Sequence, residues 1–109
     1  MELKIKEIGE WLQAGNYTPH QLADLRVKLG GAYAYYSETM EGILREKHLQ
    51  YPVLKELSKS EKEVDRLWLQ TEQGLLEAQL KIRLKSIEKL MSSVKTLLDV
   101  LNNEARSQY

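Results

Sequence analysis

A chain of 109 residues is long enough for one domain and too short for two ordinary ones. Its 16 basic and 16 acidic residues cancel, which excludes a uniformly basic nucleic-acid electrode and an acidic nucleic-acid mimic alike. The absence of cysteine excludes disulfides and thiolate metal sites.

Leucine, glutamate and lysine dominate, and only 2 prolines interrupt them, so the composition predicts an all-α chain. The patterning resolves into a single helical domain with helices over 2–14, 19–48 and 61–106. In the first, Ile5, Ile8 and Leu12 share a face with Trp11 at its edge, and Gly15-Asn16 supplies a stop. A helix this short is marginal alone in water and must dock on something. Its alternation of charge with isoleucine is unlike a signal peptide, and every apolar run falls well short of ~20 residues. No membrane association and a cytoplasmic location are therefore expected.

The second helix opens on "YTPHQ": Thr18 as N-cap, Pro19 at the first helical position, Gln21 closing a capping box. Leu22, Leu25, Leu29, Tyr33, Tyr36 and Met40 form its apolar stripe. Val27, Gly30, Gly31 and Ala34 fall on the opposite side as a smooth face that admits a close helix neighbour, either the first helix or a partner subunit. The alternative is that the two glycines mark a kink. Tyr35 belongs to neither stripe and is expected to reach solvent and a partner. Pro52 is expected to bar a continuous helix, leaving a helical turn over Val53 to Leu57.

A second capping box, Ser60 with Glu63, starts the third helix. Leu80, Leu84, Ile87, Met91, Val94, Leu98, Leu101 and Ala105 alternate spacings of four and three, the periodicity of a coiled coil. Leu90 and Leu97 widen that seam beyond what one neighbouring helix covers, which favours a homo-oligomer, most simply a two-fold dimer. An unbroken helix from residue 61 to 106 would be ~70 Å long, against a radius of gyration near 13 Å for a compact chain of ~100 residues. The molecule is then a rod, shares its core between chains, or bends, with Gly74 the candidate hinge. The expected fold is an elongated antiparallel helical hairpin: a long coiled-coil-like C-terminal helix, with the short N-terminal helix docked on it.

Chemistry-bearing patterns are sparse. His20 and His48 lack the spacing of zinc or di-iron ligands. Glu7/Glu10 and Glu38/Glu41 supply half of a helical magnesium cage, but the downstream Glu-x-x-Asp is missing. No phosphate-cradling glycine loop or nucleophile elbow is present. The expectation is a non-enzymatic protein without cofactor or metal. Lys81, Lys85 and Lys89 recur every four residues opposite the leucine seam, flanked by Lys95, and could track phosphates weakly. Arg83 falls inside the seam instead, where it must snorkel, sit at an exposed edge, or meet a carboxylate from Glu38, Glu41, Glu46 or a partner chain.

The run "DRLWLQTEQGLLEAQLKIRLKSIEKLMSSVKTLLDVLNNEARSQY", with an echo in "GNYTPHQLADLR", resembles small helical proteins of tailed phages and prophages encoded near annealing and replication genes. The resemblance implies an accessory or adaptor in phage DNA replication or recombination, acting by protein binding in the bacterial cytoplasm. It carries over no catalytic residue. Direct nucleic-acid binding by the lysine face and inhibition of a host defence enzyme are the alternatives.

Overall fold

The computed structural model describes residues 4–107, with side chains as far as residue 104. Among them the chain forms four α-helices and no strand: α1 Ile5–Ala14, α2 Pro19–Glu56, α3 Glu61–Leu69 and α4 Glu72–Ser107. The fold is all-α, built as a hairpin of α2 with α4.

Helix starts follow their local chemistry. Residues 2 and 3 of the expected α1 lie outside the described residues, and Lys4 precedes the helix rather than belonging to it; the stop is clear, with Gly15 at φ 76° in the left-handed region. At α2 the Thr18 N–H donates to Gln21 Oε1 at 2.9 Å, and the Gln21 N–H donates to Thr18 Oγ1 at 3.2 Å. At α3 the Glu63 N–H donates to Ser60 Oγ at 3.3 Å, while the Glu63 carboxylate accepts from the Lys59 N–H at 2.9 Å. That box is displaced by one residue, and it caps nonetheless.

Two expected boundaries are corrected. Helix α2 does not end near His48 but runs through Pro52 to Glu56. Proline removes one donor from the ladder, and here the carbonyl left behind belongs to His48. Both residues are exposed, so water can serve it. The helix stops where Ser58 turns back, its Oγ donating to the Leu54 carbonyl at 2.9 Å.

The second correction concerns the long third helix, which is two helices. The break falls at Gln70-Thr71, ahead of Gly74. Thr71 Oγ1 accepts from the Gly74 N–H at 2.9 Å and donates to the Trp68 carbonyl at 2.6 Å, capping the new helix while closing the old one. Gly74 is buried in its first turn, and a Cβ there would fall on the Trp68 carbonyl, 2.6 Å from the carbon. Its role is close approach, not a hinge.

The contacts gather into two units. The first joins the residues up to Ala34 to those from Lys85 onward, with Leu22, Leu29, Ile87 and Val94 at its centre. Here α1 lies against both long helices without fully burying a residue. Ile8 and Trp11 share a groove with Leu25 of α2, and Gly9 and Leu12 share one with Leu90 and Leu97 of α4. The two leucines that widen the seam thus meet α1 of the same chain. Within this unit Met91, Leu98 and Leu101 are half-buried, so the seam's breadth does not require a second chain. Ala105 lies outside the described side chains.

One of the two neighbours expected on the small-residue face is corrected. α1 does not cover Val27, Gly30, Gly31 and Ala34: Val27 is 76% exposed, Gly31 and Ala34 are exposed, and open space surrounds both glycines. Since α1 is occupied with Leu25, Leu90 and Leu97, no described residue of the unit covers Val27, Gly31 and Ala34, and α2 continues through that stretch unbroken.

The second unit spans Tyr35–Leu84. Tyr36, Met40 and Ile43 of α2, Val64 and Trp68 of α3, and Leu80 of α4 are its buried core, with Leu84 half-buried. Tyr36 meets Arg83, whereas Lys47, further along α2, meets Glu77, earlier on α4. The two helices are therefore antiparallel.

Candidate functional site

Among the described residues Glu77 is the one charged side chain in the core, 4% exposed. Trp68 Nε1 donates to its Oε2 at 3.3 Å, Lys47 Nζ stands 3.4 Å from its Oε1, and Lys81 Nζ stands 4.0 Å from its Oε2. Lys47 also sits 5.8 Å from the Trp68 ring centroid. A buried carboxylate is costly unless cations and donors surround it, and this one has both. The constellation ties α3 to α2 and α4 through Trp68. Its carboxylate faces protein rather than solvent and holds the Trp68 indole in place.

Glu77 escaped the sequence reading, although the signal was there. It stands three residues before Leu80, a seam position occupied by a charge, with Lys81 four residues on. Arg83 is the neighbouring case, and its expected partner is corrected. Its Nη1 donates to the Tyr36 hydroxyl at 2.9 Å, and its guanidinium lies 5.3 Å from that ring's centroid. The charge is half-buried over an aromatic face with a hydroxyl acceptor. Of the expected carboxylates, Glu41 lies 3.8 Å from Arg45, and Glu46 accepts from Gln50 at 3.0 Å.

The lysine face divides. Lys81 belongs to the Glu77 constellation, whereas Lys85, Lys89 and Lys95 of the first unit are exposed and make no ion pair among the described residues. Glu88 between them accepts from the Tyr33 hydroxyl at 2.8 Å. His20 lies 3.5 Å from Asp24 at the surface, and His48 is exposed. Among the described residues no three histidine or acidic side chains converge on a metal-sized site, and no helix is long and apolar enough to cross a membrane.

What the second unit does present is apolar surface. Tyr35 is 64% exposed, with its ring edge-on to Tyr36 at 5.4 Å. Leu49 and Val53, on the α2 face turned from the core, are 67% and 60% exposed, and Leu57 continues the line past the helix end. Ending the helix at His48 hid these residues from the sequence reading. Once α2 is continuous, their spacing of four places them together. The chain matches no protein-family profile, no curated protein and no solved structure.

Proposed function

We propose that this protein is a non-enzymatic helical adaptor that works by binding protein through the outer face of α2. The observation that carries the reading is the exposure of Tyr35, Leu49 and Val53 on one side of a helix whose other side is a packed core. Single exposed leucines are ordinary, but an aligned set on a rigid helix is the usual form of a helix-docking surface. The polar groups held in fixed geometry, at Glu77 and Arg83, stabilise the scaffold and do not address a substrate. The phage resemblance would set this binding among replication and recombination proteins.

The test is capture by the tagged chain from lysate of its natural host, beside a Leu49→Glu/Val53→Glu variant that keeps its helical content. A protein retained stoichiometrically by the parent and released by the variant is the expected result. Equal retention by both, or substrate turnover by the pure protein, overturns the reading.

The alternative rests on Lys85, Lys89 and Lys95 standing exposed without a carboxylate partner among the described residues. Three phosphate contacts would give weak duplex binding that falls steeply with salt. Replacing these lysines with glutamine should abolish retention on DNA at low salt, and a parent chain that is not retained there ends the idea.

A further inference from the structure

We infer that the partner on the outer face of α2 in the second unit is a second copy of this chain, paired antiparallel about a two-fold axis at Gly42. The inference rests on the protein-binding reading above and names its occupant.

Tyr35, Glu38, Gly42, Arg45 and Leu49 follow one another at spacings of three and four, so they form a single stripe on the α2 surface. The stripe lies opposite the buried Tyr36, Met40 and Ile43. All five are exposed, and a Cβ added at Gly42 would meet nothing within 4 Å. Glycine weakens a helix interior, and Gly74 shows what this chain gains by tolerating that cost: close backbone approach. Gly42 has no such return among the described residues of its own chain. A second helix crossing there would provide it.

The residues on either side decide the orientation. Rotation about a two-fold axis through Gly42, perpendicular to both helices, brings Tyr35 opposite Leu49 of the other copy. The same rotation sets Glu38 beside Arg45, because these two lie on the same flank of the stripe; each charge pair then occurs twice. A parallel pair would set Glu38 near Glu38 and Arg45 near Arg45. The surface is thus self-complementary in one orientation and self-repelling in the other. Within the chain Arg45 lies 3.8 Å from Glu41, with both side chains well exposed, a weak contact that leaves the guanidinium free to turn. One helix face is small beside a standard interface, so the dimer should dissociate on dilution.

The chain has no cysteine, which makes single cysteines clean reporters. Mass is followed by sedimentation from micromolar to about millimolar protein, and cysteine variants are oxidised in the same range. Expected are a concentration-dependent doubling of mass and a disulfide in Gly42→Cys. Tyr35→Cys mixed with Leu49→Cys should cross-link, whereas Tyr35→Cys alone should not. Glu38→Arg and Arg45→Glu should each weaken association at least tenfold, and the double exchange should restore it, a rescue that mere misfolding cannot give. Gly42→Gln, placed in open space and helix-favouring, should remain folded and monomeric. A monomer throughout the range, or a dimer in which Tyr35→Cys links to itself, overturns the inference. If that monomer still captures another protein through Leu49 and Val53, the adaptor reading survives and only the self-pairing falls.

Discussion

Two glycines of the second unit make opposite predictions at the scale of one Cβ atom. Gly42 is surrounded by open space, so Gly42→Ala in dilute solution should raise stability by up to about 1 kcal/mol, the helix-propensity difference. Gly74 packs against the Trp68 carbonyl, a backbone group that cannot swing aside. Gly74→Ala should therefore lose roughly 2 kcal/mol despite the same propensity gain, since overpacking costs about 1–3 kcal/mol and the cap at Thr71 must shift with it. Urea denaturation of the two variants beside the parent separates them by sign. At Glu77 the prediction is graded. Glu77→Ala leaves the buried Trp68 N–H without its acceptor and Lys47 without its countercharge, and should cost on the order of 2–3 kcal/mol. Glu77→Gln keeps an acceptor for the indole and should lose about half of that. Residue roles were legible where periodicity alone decides them: Tyr35 in solvent, Arg83 within the seam. They were illegible where a partner decides them, because nothing in the spacing of Arg83 specifies a tyrosine hydroxyl over a carboxylate.

Single elements owe their limits to contacts of only a few residues, and the legible ones are those whose signal is local. The boxes at Thr18 and Ser60 are read from four consecutive residues, so both starts are where the sequence puts them. The end of α2 depends instead on whether the groups freed by Pro52 reach water, a property of the folded surface. The break before α4 depends on Trp68 entering the core and on Thr71 capping the next turn. Thr71→Ala should thus cost about 1 kcal/mol, with Thr71→Ser recovering most of it, measured by thermal unfolding. A pH prediction belongs to the α2–α3 junction. The Tyr51 hydroxyl donates to Glu61 Oε1 at 2.9 Å and Oε2 at 3.1 Å, and this bond to a carboxylate raises the phenol above its ordinary pKa, helped by desolvation and by the charges of Glu61 and Asp65. The folded state then holds the proton more tightly than the unfolded chain. The contribution is complete below about pH 10 and is lost as pH rises through the raised folded value. The measurement is the difference between parent and Tyr51→Phe. Stability of the parent should fall more steeply above about pH 10, and parallel curves would contradict the assignment.

For the whole molecule, the question is whether two units mean two transitions. Each contains one tryptophan: Trp11, half-buried, in the first and Trp68, fully buried, in the second. Between them α2 and α4 run without interruption through the boundary at Ala34/Tyr35 and Leu84/Lys85. Ending a helix at such a point exposes backbone groups that no cap serves, and helix formation is cooperative along its length. The α1 helix buries too little to persist alone, and the α3 helix at nine residues is shorter still. Unfolding should accordingly be a single transition. In Trp11→Phe, which replaces a half-buried indole 5.5 Å from Tyr17 by a smaller aromatic ring, fluorescence reports Trp68 alone while far-ultraviolet dichroism reports every helix. The two signals should share one midpoint and one denaturant slope. A dichroism curve with a shoulder absent from the fluorescence would mean that the first unit melts independently, and that the shared helices do not bind the halves into one cooperative structure.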